Sequence, residues 1–300
     1  MTILITGASG LIGSHLCAEL AKTEQGIIAL SRSTSPLLKE TLECYPANIT
    51  YASCDLSNKR ATENIILEQK PETIFHIAAC CQPYHIATNF IESNIIGTAN
   101  LLDTLTRAKT VKNLIYASTM SIYTTPPRYL PVDESHPAEP SSIYGKTKLA
   151  GEYMCNCLPD TRVAILRFAS VFGVGDTARV AGLFMTAALS GKPLIVQGDG
   201  SQSSDFIYVD DAIQGILKTW KKNASGVYNI GSGQEITIGN FALEVIRATC
   251  SASKVKMVGV APKPFRFVSN ISKARTELGY QPGLLSEGLK KYMEALRAQR

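Results

Sequence analysis

The segment Ile3-Leu4-Ile5-Thr6-Gly7-Ala8-Ser9-Gly10-Leu11-Ile12-Gly13 decides the fold. A short apolar strand runs into three glycines spaced Gly-x-x-Gly-x-x-Gly, and a helical pattern starts near Leu11. In such a turn Gly7 permits the tight bend, Gly10 lets the backbone approach a phosphate, and Gly13 lets the helix pack close to the strand. Amide groups at the helix N-terminus favour an anion. We therefore expect a dinucleotide pyrophosphate here; the alternative is a glycine-rich turn without a ligand.

Apolar strands and helical patterns alternate from this turn onward. Strands are predicted near Thr2–Ile5, Ile27–Leu30, Ile49–Ala52, Thr73–Ile77, Asn113–Ala117 and Arg162–Arg167. Helices are predicted near Leu11–Thr23, Lys59–Gln69, Asn94–Ala108 and Tyr144–Cys157. Near-continuous apolar strands separated by helices indicate a parallel sheet that is covered on both faces. The predicted fold class is α/β, a Rossmann-type doubly wound parallel sheet with a smaller C-terminal α/β substrate lobe.

The alternation breaks after Phe168, where Gly, Pro and Ser become frequent. We expect two domains, one that binds the dinucleotide and one that binds the substrate. The first comprises residues 1–168 with a return segment near 206–232, and the second comprises residues 169–205 and 233–300. The segment Thr125–Pro140 contains five prolines, which exclude a helix or a central strand, and we expect an ordered surface loop beside the active site.

Composition narrows the class of protein. A chain of 300 residues with 45% hydrophobic residues can bury a large core. A net charge of +5 without a dense Lys/Arg block predicts no nucleic-acid partner. No apolar run approaches the ~18 residues of a membrane span, and no signal peptide is visible. The eight cysteines form no Cys-x-x-Cys pair, so we expect reduced thiols, a cytoplasmic location and no metal site.

Tyr144 and Lys148 are candidates for acid–base chemistry. On a helix, positions i and i+4 share a face, so the ammonium lies close to the phenol. A nearby cation favours the phenolate and lowers the pKa of a tyrosine from its usual ~10, which makes Tyr144 a plausible general acid/base. Such a pair also occurs by chance on helix surfaces.

Hydroxyl side chains follow the apolar strand that ends near Ala117. Ligands gather at the carboxyl ends of strands in a doubly wound sheet, so we expect Ser118 and Thr119 at the ligand edge. Thr119 is placed to hydrogen-bond the substrate oxygen that Tyr144 protonates. A turn that caps the strand end is the alternative, and it fits Ser121 better than Thr119.

These motifs and several others occur together in a fixed order and spacing, and such a combination is specific for one protein family. They are Gly7-x-x-Gly10-x-x-Gly13, Cys54-Asp55-Leu56, His76-Ile77-Ala78-Ala79, Asn94 to Leu102, Ser118-Thr119-x-x-Ile122-Tyr123, Tyr144-x-x-x-Lys148, Leu166-Arg167-Phe168 through Gly173, and Asp205 to Asp211. With them the chain resembles the extended short-chain dehydrogenase/reductases, in particular the NAD(P)-dependent nucleotide-sugar epimerase/dehydratase family.

The resemblance implies a nicotinamide cofactor and assigns site residues. The catalytic set is Tyr144, Lys148 and Thr119. The cofactor-binding set is Gly7, Ser9, Gly10, Leu11, Ile12, Gly13, Ser31, Arg32, Ser33, Asp55, Leu56, Ala78, Ala79, Asn94, Ser118, Tyr144, Lys148, Phe168 and Val171. The substrate-binding set is Thr119, Ser121, Arg179, Lys192 and Arg266. The helices near Asn94–Ala108 and Tyr144–Cys157 imply a homodimer.

The residues after the second strand bear on the choice of cofactor. NAD-preferring members place a carboxylate there for the ribose 2′-hydroxyl. This chain has Ser31, Arg32 and Ser33 instead, and an arginine can pair with a 2′-phosphate. We therefore favour NADP over NAD. The alternative is that Arg32 points to solvent or stacks on adenine, with NAD still used.

Other departures from the family bear on the reaction. Family dehydratases carry an acidic pair after the catalytic threonine, where this chain has Met120 and Ser121, so 4,6-dehydration is not expected. Ser204 stands where many members have an arginine that grips the substrate pyrophosphate, and Pro262–Arg266 lacks the usual Arg-Pro-Gly-Asp signature. The candidates to compensate are Arg179, Lys192, Lys263 and Arg266.

The predicted function is hydride transfer as a sugar epimerase or a keto-sugar reductase, on a nucleotide-activated sugar. Two alternatives stay open. One is an NADPH-dependent reductase of a non-nucleotide carbonyl compound, which the loss of the pyrophosphate arginine favours. The other is a non-catalytic dinucleotide sensor, which the retained Tyr144 and Lys148 disfavour.

Overall fold

A computed structural model describes residues 2–23, 25–81, 86–260 and 265–298. Its strands are β1 Thr2–Thr6, β2 Gly26–Ser31, β3 Ile49–Ser53, β4 Thr73–His76, β5 Asn113–Thr119, β6 Arg162–Phe168, β7 Ser170–Phe172, β8 Leu194–Gln197, β9 Ser203–Ser204, β10 Phe206–Tyr208, β11 Gly226–Ile230, β12 Ile236–Thr237 and β13 Val255–Val258. Its helices are α1 Leu11–Leu20, α2 Pro36–Cys44, α3 Lys59–Gln69, α4 Ala87–Phe90, α5 Gly97–Ala108, α6 Ile143–Asn156, α7 Val180–Leu189, α8 Val209–Lys221, α9 Ile238–Thr249 and α10 Leu285–Ala298.

Seven strands form one sheet in the order β11-β6-β5-β4-β1-β2-β3. β1 pairs in parallel with both β2 and β4, so the chain order reverses on either side of β1. In doubly wound sheets ligands bind at such a switch point, beyond the carboxyl ends of the strands. The α/β Rossmann-type sheet expected from the sequence is confirmed.

The core of this sheet is apolar on both faces. Ile3, Ile5, Ile74, Phe75 and Leu114 are completely buried, as expected for strands that helices cover on both sides. α3 and α5 pack together over one face. The strands therefore hold the turn after β1 and the end of β5 on a rigid frame.

Several helix boundaries differ from the sequence expectations. The helix expected at Asn94–Ala108 begins earlier, because α4 continues through a π-helical segment at Ile91–Ile96 into α5. The sequence analysis did not predict α2, whose start Ser35 caps by accepting a hydrogen bond from the Leu38 amide. Among the described residues, no helix is long and apolar enough to cross a membrane.

The chain divides into two compact units. The first comprises Met1–Thr124, Pro137–Arg167 and Ile213–Tyr228, and the second comprises Thr125–His136, Phe168–Ala212 and Asn229–Arg300. The predicted division assigned 125–136 to the dinucleotide domain, and the observed division corrects it. The physical reason is long-range pairing within the second unit, where the Val132 amide donates to Val268 O and Val132 O accepts from the Asn270 amide. The returning segment is also shorter than the predicted 206–232.

Candidate functional site

The glycine turn after β1 leaves no room for side chains where the chain folds on itself. Gly7 has a φ of +69°, and a Cβ there would lie 2.7 Å from the Ala78 backbone. A Cβ at Gly13 would lie 2.1 Å from Gly7 O, whereas one at Gly10 would meet only Gly7 O, at 3.3 Å. Two glycines therefore serve packing, and Gly10 leaves a backbone surface that a phosphate can approach.

The N-terminus of α1 has no side-chain cap. Its N-cap residue is Gly10, and no side chain accepts from the first-turn amides. By contrast, Asn58 caps α3 and Ser142 caps α6. An uncapped helix start beside a glycine turn offers amide donors to an anion. Ser9, Leu11 and Ile12 line this start, and the cradle fits a dinucleotide pyrophosphate.

The end of β2 presents Ser31, Arg32 and Ser33. The Ser31 hydroxyl is buried and donates to Ser33 O at 2.8 Å. The Arg32 guanidinium lies 3.8 Å from the Asp55 carboxylate, and both side chains are exposed, by 70% and 47%. Leu56 is buried next to Asp55. The end of β2 thus presents a hydroxyl that is already hydrogen-bonded within the protein, an exposed guanidinium and an exposed carboxylate.

Asn94 connects the segment after β4 to α6. Its side chain is buried; Oδ1 accepts from the Cys80 amide at 2.7 Å, and Nδ2 donates to Cys80 O at 3.0 Å and to Thr147 Oγ1 at 3.0 Å. Ala78 and Ala79 stand just before Cys80, and the Ala78 amide donates to Thr6 Oγ1 at 3.2 Å. The side chain of Asn94 therefore joins α6 to the segment after β4 that contains Ala78 and Ala79, two residues of the predicted cofactor-binding set.

Thr119 and Ser121 lie against the start of α6. Thr119 Oγ1 accepts from the Ser121 amide at 3.1 Å and donates to Ser121 Oγ at 3.3 Å. A Cβ at Gly145 would lie 2.3 Å from Ser121 O, so the two backbones touch. This contact holds the turn after Thr119 against the first turn of α6, which contains Tyr144.

Lys148 lies next to the ring of Tyr116, on the face of α6 that packs against β5, and the ring of Tyr144 lies 6.4 Å from that of Phe90. The Lys148 Nζ is 4.0 Å from the centroid of the Tyr116 ring. Burial raises the pKa of the Tyr116 phenol well above its usual value, and neighbouring groups that include Tyr144 add to the effect. Burial also lowers the pKa of Lys148 to about 8. Tyr144 and Lys148 occupy positions i and i+4 of α6, the spacing from which a shared face is predicted.

A buried ion pair lies one turn further along α6, and the sequence analysis missed it. Arg167 donates to Glu152 through Nε at 3.1 Å and through Nη2 at 2.7 Å. Arg167 also donates to the Tyr123 hydroxyl at 2.9 Å, and Ser118 donates to Glu152. Ser118 is predicted to contact the cofactor, but its hydroxyl donates a hydrogen bond to the Glu152 carboxylate. The available signal was that Glu152 follows Lys148 by four residues, on the same helix face.

The second unit carries the three cations expected to bind substrate. The Arg179 Nε lies 3.2 Å from Asp176 Oδ1. Arg266 makes two bonds to Glu235, at 2.7 and 2.6 Å, and hydrogen bonding from Arg266 lowers the pKa of that carboxyl to about 2. Lys192 is exposed. Two of the three charges are thus already paired with carboxylates.

The remaining predicted residues of this unit are mostly apolar. Phe168 and Val171 are buried. The Ser204 hydroxyl lies 3.1 Å from that of Ser170, so two neutral groups meet where many family members place an arginine. Lys263 lies outside the described residues. Within the described parts of the chain, no group of three His, Cys, Asp or Glu residues could hold a metal ion.

A parallel doubly wound sheet, a glycine cradle after its first strand and a Tyr-x-x-x-Lys helix beside the end of β5 define a class. That class is the extended short-chain dehydrogenase/reductases. The chain belongs to the NAD dependent epimerase/dehydratase family, whose sequence profile matches residues 3–231.

Individual relatives span nearly the whole chain. UDP-glucuronic acid decarboxylase 3 of Arabidopsis thaliana is 30% identical and covers 96% of this chain and 87% of that protein. UDP-glucose 4-epimerase of Thermotoga maritima, solved with UDP-glucose, superposes with a TM-score of 0.90 at 27% identity, covering 100% and 99% of the two chains. UDP-glucuronic acid 4-epimerase of Bacillus cereus, solved with UDP-glucuronic acid and NAD, has a TM-score of 0.88 at 27% identity and covers both chains fully.

Proposed function

We propose that this protein is an NAD(P)-dependent epimerase of nucleotide-activated sugars that works by hydride transfer at one sugar carbon. One observation carries the proposal: Tyr144 and Lys148 stand four residues apart on α6, which packs against the turn that follows Thr119, in the unit that also holds the glycine cradle. The epimerases solved with UDP-glucose, or with UDP-glucuronic acid and NAD, support it. They favour a nucleotide sugar over a non-nucleotide carbonyl compound.

In the proposed reaction, side chains of this protein remove and return the proton of the substrate hydroxyl. When bound, the nicotinamide supplies the hydride acceptor and donor. The Tyr144 phenolate takes the proton of a substrate hydroxyl, and the Lys148 ammonium stabilises the phenolate charge. The Thr119 hydroxyl donates a long hydrogen bond of 3.3 Å to Ser121 Oγ. When substrate binds, this hydroxyl can donate to the same substrate oxygen instead. Neither Met120 nor Ser121 has a carboxyl group that could assist the elimination of water. The proposed reaction is therefore the oxidation and re-reduction of one sugar carbon, without dehydration.

A keto-sugar reductase that uses NADPH is the second candidate. It rests on the end of β2, where Ser31 brings no negative charge and Arg32 is exposed by 70% beside Asp55. A guanidinium at this place can pair with a 2′-phosphate. We therefore propose that NADP binds more tightly than NAD.

One product screen tests both candidates. The purified protein, loaded with NAD or NADP, is incubated with UDP-glucose, UDP-galactose, UDP-glucuronic acid and simple keto-sugars, and products are read by NMR. An epimer formed without net cofactor consumption supports the first proposal. Stoichiometric NADPH consumption supports the reductase. Binding of cofactor without turnover of any sugar would contradict both and favour a dinucleotide sensor.

We also propose a homodimer built on α5 and α6. The π-helical segment and α6 expose large apolar side chains, with exposed fractions of 41% at Ile91, 42% at Ile96, 40% at Ile143 and 65% at Tyr153. The π-helical segment packs against α6, and exposed apolar side chains on two adjoining segments are typical of a protein interface. Sedimentation should give twice the chain mass, and Ile96→Glu should give the monomer; a monomeric wild-type protein would contradict the proposal.

A further inference from the structure

The Lys148 ammonium rests on the face of an aromatic ring. Its Nζ lies 4.0 Å from the Tyr116 ring centroid. Tyr116 is fully buried and Lys148 is 1% exposed. A cation over a ring face is attracted by the ring quadrupole, and the attraction is strongest where water is excluded.

The Tyr116 ring is held in place from several sides. Its hydroxyl donates to Lys148 O at 3.4 Å, and a Cβ at Gly151 would lie 2.0 Å from that hydroxyl. The His76 ring lies 5.5 Å from it, and both His76 nitrogens are hydrogen-bonded, to Thr6 and Thr98. The ring therefore has little freedom to move from beneath the ammonium.

Several titratable groups surround the ring and the ammonium, and among them Glu152 acts to raise the pKa of Lys148 against the larger effect of burial. Burial lowers the pKa of His76 to about 3, so that ring is neutral at pH 7. Burial raises the pKa of the Cys155 thiol to about 12, which keeps it neutral as well. Glu152 is bonded twice to Arg167. Further titratable groups that act on the pair are Cys81, from the segment after β4, and Tyr144.

We propose that Tyr116 is a positioning residue, whose ring face keeps the Lys148 side chain charged and beside Tyr144. The proposal rests on the proposed function, because it assigns Tyr116 a part in that reaction through Lys148. It predicts that activity depends on the electron density of the ring at position 116 and not on the Tyr116 hydroxyl.

Fluorination of the ring tests this directly, because it weakens the quadrupole with little change of shape. Tyr116→Phe is the starting variant, and its ring is replaced by 4-fluoro-, 3,5-difluoro- and 3,4,5-trifluorophenylalanine. The first readout is the pKa of Lys148 from NMR titration of its Cε and Hε signals, with Lys148→Met for assignment. The second readout is the pH profile of sugar turnover.

The expected result is graded. Tyr116→Phe should keep the wild-type pH profile. Along the fluorinated series the pKa of Lys148 should fall by about one unit in total, as cation–π energies allow. From a value of about 8, that fall would cut turnover about two-fold at pH 7 and about five-fold at pH 8.

Phe75 provides the matched control. It is fully buried in the neighbouring strand β4, and its ring packs edge-on against Trp220 at 5.8 Å. The same fluorinated series at Phe75 should leave the pKa of Lys148 unchanged. If the trifluoro variant at 116 fails to fold, the mono- and difluoro variants still give the gradient.

The two readouts separate the two proposals. A pKa of Lys148 that stays constant along the series at 116, or that moves equally with the series at 75, would overturn the part given to Tyr116. A graded pKa in a protein that turns over no sugar would instead leave the ammonium–ring contact in place and contradict the proposed function.

Discussion

The two ends of the predicted cofactor site hold their charges in different ways. Beside α6, Glu152 and Arg167 are 4% and 8% exposed in their side chains, and two hydrogen bonds join them. At the end of β2, Arg32 and Asp55 are 70% and 47% exposed and stand 3.8 Å apart. The first pair is buried and joined by hydrogen bonds of defined geometry, whereas the second is exposed to solvent and separated by a longer distance.

This difference in burial distinguishes the residues near the proposed proton transfer from those that would select the cofactor. Removing one partner of a buried pair leaves an uncompensated charge, so the fold resists change there. An exposed pair contributes little to stability, so it can change with small effect on folding. We therefore expect the proton-transfer residues to depend on a rigid, buried frame, and the cofactor preference to depend on side chains that can be altered freely.

The largest effect is expected at the buried end, in Tyr144→Phe. Loss of the proton acceptor should reduce kcat by about 10²–10⁴-fold, the contribution of a positioned acid/base, with cofactor binding retained. Tyr153→Phe is the control, because Tyr153 lies on the same helix and is 65% exposed. Equal kcat values for the two variants would show that the phenol of Tyr144 has no part in the reaction.

The next effect concerns the Glu152–Arg167 pair. Glu152→Gln should lower the free energy of unfolding by about 3–5 kcal/mol, since it leaves a buried guanidinium without its counter-charge. Urea unfolding measures the loss. Glu235→Gln, which breaks the exposed pair with Arg266, should lower stability much less. If the two variants lost similar amounts of unfolding free energy, the proposed difference between the buried and the exposed ion pair would be wrong.

A smaller effect of opposite sign is expected for Lys148→Met. The pKa of Lys148 falls from 10.5 to about 8 on folding. Between these values the unfolded chain binds more protons, so wild-type stability rises with pH from about 8 to 10.5 and is lowest below 8. The variant should therefore be more stable at pH 7, by up to about 3 kcal/mol.

The pH dependence checks this assignment. The stability gap between Lys148→Met and the wild type should narrow as the pH rises from about 8 to 10.5. Lys146→Met, on the same helix at an exposed position, should show neither the gain nor the narrowing. A gap that stays constant with pH would assign the gain to packing instead of charge.

The smallest effect is expected at the exposed end. Arg32→Ala should weaken NADP binding by up to about five-fold, the effect of a single exposed charge contact of about 1 kcal/mol, and leave NAD binding and the unfolding midpoint unchanged. Isothermal titration with both cofactors measures the two affinities. Tighter binding of NAD than NADP by the wild type would contradict the proposed preference.

Local patterns predicted the frame of the molecule well. Apolar runs between helical patterns located β1 to β6. The glycine spacing predicted that the helix packs close to the strand at Gly13, where a Cβ would lie 2.1 Å from Gly7 O. The helical pattern near Tyr144–Cys157 located α6, which contains both Tyr144 and Lys148. These features depend on neighbours in sequence, which is why the sequence alone sufficed.

Long-range contacts could not be predicted in the same way. Tyr116 and Ser118 share a strand face by simple alternation, but only the packing of β5 on α6 shows that they meet Lys148 and Glu152. The assignment of 125–136 to the second unit depends on Val132, whose backbone hydrogen-bond partners Val268 and Asn270 lie more than a hundred residues away. No local pattern carries that information.

The most direct test of the account is the absorbance at 340 nm when cofactor-loaded protein is mixed with a sugar nucleotide that the product screen has shown to react. The wild type should show a transient increase as hydride leaves the sugar, and Tyr144→Phe, still carrying cofactor, should show none. An equal transient in both proteins would contradict the claim that Tyr144 removes the proton that allows the hydride to leave.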